Sequence, residues 1–84
     1  LSWRRAAELA RAQADAARTA ADATGVDENR LAHFKRYLQA YDDQKALVAW
    51  VQRRKAQHLE EFAGLCQARQ DTDITVIERG PRKS

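Results

Sequence analysis

Between residues 28 and 70 this chain holds neither proline nor glycine except Gly64, and its bulky side chains recur three and four apart. Leu31, Phe34, Leu38, Tyr41, Lys45, Val48, Gln52, Lys55, Leu59, Phe62 and Cys66 keep that spacing without a slip, and eight of the eleven are apolar or aromatic. A helix with such a stripe presents one coiled-coil-like seam. The polar positions of the seam cluster between 45 and 55. A break near Asp42-Asp43 would turn the segment into two helices and the chain into a three-helix bundle. No staple or capping box marks a second start there, so the spacing predicts one long helix over 28–70.

A second helix precedes it. Over 3–24, Arg4, Glu8, Arg11, Asp15, Arg18 and Asp22 alternate in sign at spacings of four and three, the mark of a solvated face laced with weak ion pairs. Much of the remaining circumference is Ala6, Leu9, Ala10, Ala14, Ala17, Ala20 and Ala21. Alanine favours the helix and lets a partner helix come close. Residues 25–27 read as the turn. Gly25 suits a left-handed position past a helix end, and Asp27 suits an N-cap. Val26 and Leu31 are placed for a hydrophobic staple across that cap.

The expected fold is therefore all-α: an antiparallel, coiled-coil-like helical hairpin whose second helix is about twice as long as the first. Its helices would measure about 33 and 65 Å. Counting back from the turn puts Trp3 beside residue 48. Leu59, Phe62, Leu65 and Cys66 would then lie beyond the reach of helix one. Ile74-Thr75-Val76-Ile77 is β-branched throughout, so residues 74–78 read as one short C-terminal strand, with 79–84 a basic tail. A lone strand needs a partner for its backbone.

Residues 1–84 are enough for a single small domain, or a fragment of something longer. Leu at position 1 in place of Met points to the second. With six aromatics, no methionine and many of its apolar residues alanines, the core is thin. One cysteine excludes an internal disulfide, so assembly is the expected staple. The same lone cysteine, without a disulfide framework, points to a reducing compartment, the cytoplasm. No apolar run is long enough for a membrane span.

Catalysis has little to work with, and no enzyme activity, metal, cofactor or small-molecule substrate is expected. His33 and His58 stand far apart, and His58 with Glu61 supplies only two metal ligands. Asp42 and Asp43 are neighbours that diverge on a helix, and Cys66 on the seam reads as a buried thiol. Two functions remain. The first is a structural or protein-interaction module that assembles with itself or a larger protein. Its interface would use Trp50, Leu59, Phe62, Leu65, Cys66, Ile74 and Val76. The second is a nucleic-acid-binding assembly factor. The modest net charge of +3 would be multiplied by oligomerisation, and Arg53, Arg54, Lys55, Arg79, Arg82 and Lys83 would meet phosphates. The layout over residues 3–78, a helical hairpin and then a short strand, is similar to the oligomerisation core of phage small terminase subunits. That resemblance implies hairpins packed side by side in a ring with their strands joined in a barrel. No helix-turn-helix stands ahead of the hairpin in this sequence.

Overall fold

The computed structural model describes residues 2–37 and 42–78, with the backbone alone described for 73–78. Among the described residues the chain is all-helical: α1 (Trp3–Ala23), α2 (Glu28–Arg36) and α3 (Gln44–Glu78). Leu38 and Tyr41 of the expected seam, and Arg79, Arg82 and Lys83 of the tail, lie outside the described residues.

Each boundary has a local cause. The Ser2 hydroxyl accepts the Arg5 N–H at 3.0 Å and opens α1. At the other end the Gly25 N–H reaches the Asp22 carbonyl at 3.1 Å. Gly25 takes φ of +72°, as the turn requires. Asp27 then caps α2, its carboxylate accepting the Arg30 N–H at 2.7 Å, and Val26 and Leu31 close the staple in one buried cluster. No atom lies within 4 Å of where a Cβ on Gly25 would sit, so substitution there carries a conformational cost alone. Gly25→Val should cost about 1 kcal/mol or more, since a β-branched residue resists positive φ. That corresponds to a fall of roughly 5 °C in melting temperature for a domain of this size. An unchanged thermal melt would contradict the turn.

The single long second helix is not what forms. α2 stops at Arg36, where Tyr37 leaves helical geometry with φ −120° and ψ 82°. α3 starts afresh at Gln44. Asp43 is the reason for the restart: its Oδ1 accepts the Ala46 N–H at 3.2 Å, and its carbonyl accepts the Leu47 N–H at 3.1 Å. The same carboxylate binds Arg30 of α2 through two contacts, Nε to Oδ2 at 2.8 Å and Nη2 to Oδ1 at 2.5 Å. One aspartate thus caps the new helix and ties it to the old one. Arg53 of α3 pairs with Glu28 of α2 in the same sense.

The Arg30 hydrogen bonds hold the Asp43 carboxyl below its ordinary value, and the Ala46 N–H adds to the effect. A carboxylate with a depressed folded pKa stabilises the fold above the ordinary carboxylate range. Its contribution disappears as the pH falls through the folded value. Asn at 43 keeps a capping acceptor and removes the charge. Asp43→Asn should therefore melt below the parent at pH 7, with the gap closing towards acid. A gap independent of pH from 7 down to 2 would show that the Arg30–Asp43 pair does not matter.

The restart changes which helices meet. α1 lies antiparallel along α3 and makes no comparable contact with α2. Trp3 has the Arg69 guanidinium over its ring, at 5.7 Å from the centroid, and not residue 48 beside it. At the far end, Ala23 and Thr24 lie beside Gln44, Lys45 and Val48. The packed row of α1 is Ala7, Ala10, Ala14, Ala17 and Ala21, all buried. The facing row of α3 includes Ala56, Leu59, Ala63 and Cys66, with Ala56 and Leu59 packed on Ala14 and Ala17. α2 folds onto the start of α3, where Leu31 and Phe34 bury Ala46 and Ala49 beside Leu47 and Trp50. The result is a narrow body, 62 × 21 × 18 Å.

Residues 74–77 also depart from expectation. They lie inside α3 as helix, not as a strand. Extending an existing helix adds one backbone hydrogen bond per residue, whereas an isolated strand adds none. The β preference of Ile74, Val76 and Ile77 has no strand among the described residues through which to act.

Candidate functional site

α3 is apolar on more than one side, and α1 and α2 cover only part of it. Its packed side carries alanines; another side carries Val48, Val51, Phe62 and Leu65, all exposed. Leu65 is 68% exposed and Phe62 48%, high values for large apolar residues in the middle of a helix. With Lys55, His58 and Arg69 these form a second row at three-four spacing: Val48, Val51, Lys55, His58, Phe62, Leu65, Arg69. Such a row is a helix-packing seam without its helix.

Phe62 borders three adjoining hollows. One, of about 200 Å³, lies between α1 and α3 and includes Ala6, Leu9, Gln13 and Leu59 in its lining. A second, of about 390 Å³, is bounded by Trp3, Leu65, Cys66, Arg69 and Thr72. The third runs from Trp50 and Val51 past Arg54, Lys55 and His58 to Leu59. Arg54 sits over the Trp50 ring at 5.5 Å, matching Arg69 over Trp3, so each stack sets a guanidinium beside the apolar surface. The α1 flank of this face is small and uncharged, built from Ala6, Leu9 and Gln13.

The opposite side differs in kind. A hollow of about 540 Å³ is lined by Arg18, Asp22, Arg53 and Glu60 among others. Both of its cations are already paired: Arg18 reaches Asp15 at 2.8 Å and Glu60 at 3.2 Å, and Arg53 is held by Glu28. Exposed pairs like these are worth little each and leave little charge for a ligand.

No family model, no curated protein and no solved structure matches this chain. Of the five interface candidates whose side chains are described, Phe62 and Leu65 stand exposed. Leu59 is half-buried against α1, and Cys66 is 1% exposed under it, so both are covered from within the chain. Helix one reaches them because α3 starts beside the end of α1. Trp50 is half-buried against the α2 cluster, its ring 6.5 Å from that of Phe34. Ile74 and Val76 belong to the α3 helix, and their side chains lie outside the described residues. The Arg53-Arg54-Lys55 triplet splits three ways: Arg53 is paired to Glu28, Arg54 stacked on Trp50, and Lys55 exposed on the Phe62 face.

Trp3, Leu9, Val51, His58 and Arg69 belong to the surface and were not among the sequence candidates. The row from Val48 to Arg69 was legible as a spacing, but only knowledge of which α3 face meets α1 shows that it stays open. Among the described residues no group of three His, Cys, Asp or Glu could hold a metal ion. No helix among them is long and apolar enough to cross a membrane.

Proposed function

We propose that this chain is a protein-interaction module that assembles through the exposed seam of its long helix. The supporting observation is the pair Phe62 and Leu65, open to water on a helix whose other face is already packed. Burying a large apolar side chain contributes roughly 1.5–3 kcal/mol, so a partner that covers both gains substantially from two residues alone. Hollows on three sides of Phe62 fit side chains inserting from another helix, as knobs enter holes. The antiparallel α1–α3 pair then acts as a stiff support, the hairpin-like element of the module.

A photo-crosslinking residue placed at Leu65, and another at Gln57 on the far side, tests this in cells. One defined protein, either this chain or another, should crosslink through 65 and not through 57. Phe62→Asp should abolish that product, because it sets an unpaired charge in the contact, while the helical circular dichroism stays unchanged. Absence of any product through 65, or equal products from both faces, would overturn the reading.

A further inference from the structure

We infer that the occupant of this seam is an amphipathic helix with acidic residues flanking its apolar stripe. The inference rests on the interaction reading above and adds the chemistry of the partner. Charge decides it. The basic residues that line the three hollows are Arg54, Lys55, His58 and Arg69, and the lining contains no carboxylate. Among the acids of α3 whose side chains are described, Glu60 is paired with Arg18 on the opposite side, and Glu61 and Asp71 line none of the hollows. Lys55 and Arg69 each stand seven residues from Phe62, one on either side, so a helix lying along the seam meets a cation before and after its central contact.

That pattern sorts the occupants. A second copy presenting the same three hollows brings Arg54, Lys55 and Arg69 towards these cations, which is unfavourable in a water-excluded contact. Phosphate backbones satisfy the cations and leave Phe62 and Leu65 in water. A flat anionic bilayer meets the α3 ridge and leaves the recess beside Ala6, Leu9 and Gln13 unfilled. A helix with apolar residues at three-four spacing and Glu or Asp beside them satisfies all three features.

Two labelled 21-residue helical peptides with identical leucines, one flanked by glutamates and one by lysines, provide the probe. Fluorescence anisotropy with the whole chain should give at least tenfold tighter binding of the acidic peptide at low salt. The preference should shrink as salt rises. In the double variant Lys55→Glu/Arg69→Glu it should reverse, with the helical content of the protein unchanged. Equal affinity for both peptides, or a preference that the double variant keeps, would overturn the inference while leaving the interaction reading intact. So would concentration-dependent dimerisation of the parent chain by light scattering that excludes the acidic peptide. Binding only to phosphatidylserine vesicles or to duplex DNA would overturn it likewise. Failure of both peptides together with loss of the Leu65 crosslink would remove the interaction reading itself.

Discussion

Phe34→Ala is expected to destabilise this chain by about 3–5 kcal/mol, the range for emptying a buried phenylalanine site. The ring is 2% exposed and is the larger of two fully buried side chains of substantial volume. Its neighbours in the cluster include Ala46 and Ala49, which are too small to refill the space, and a Trp50 ring tilted at 54°. A chain of this length has roughly 4–12 kcal/mol of total stability, so the loss approaches the whole at the lower end. Urea denaturation measures it. In a Trp3→Phe background, Trp50 fluorescence reports the α2–α3 contact, and its emission should shift to the red in Phe34→Ala even before unfolding. A cost under 1 kcal/mol with unchanged emission would show that α2 does not pack where it is placed here.

The second large effect runs in the opposite steric direction. Ala14→Leu should cost about 3 kcal/mol, at the upper end of the usual penalty for overfilling a core. Ala14 is 0% exposed and packs with Ala17 and Ala56, so the two helices meet there alanine against alanine. Three added carbons have nowhere to go unless the helices separate, and separation strips contact from Ala7 to Ala21 together. Ala12→Leu, on an exposed position two residues away, should stay within about 0.5 kcal/mol of the parent. If Ala14→Leu matched Ala12→Leu in thermal and urea melts, the close α1–α3 contact would be refuted.

These alanines explain where sequence reasoning went astray. A search for bulk finds Leu31, Val48 and Phe62 at three-four spacing and joins them into one seam. In the structure that row belongs to two helices, and in α3 it is off by one from the packed side. Ala49, Ala56 and Ala63 are buried where the spacing points to Val48, Lys55 and Phe62, while Leu59 and Cys66 serve both patterns. Close helix packing rewards small residues, and spacing alone does not say whether a seam is filled by large side chains or by proximity. The break was legible only in part. Asp43 three residues ahead of Ala46 is an ordinary capping pair, but the same carboxylate is also held by Arg30, thirteen residues earlier and on another helix.

What the sequence determined by itself is local. It set the helical character of 3–23, the glycine turn at 25, the cap at Asp27 and the Val26–Leu31 staple, because each depends on residues within one or two turns of chain. What the tertiary structure decided is everything that depends on register. The Arg30–Asp43 tie restarts α3 beside the end of α1, and that offset brings Trp3 to Arg69 instead of residue 48. It therefore half-buries Leu59, buries Cys66 and leaves Phe62 and Leu65 in water. Register is a sum over many weak contacts between distant segments, and no window of sequence contains both sides of that sum.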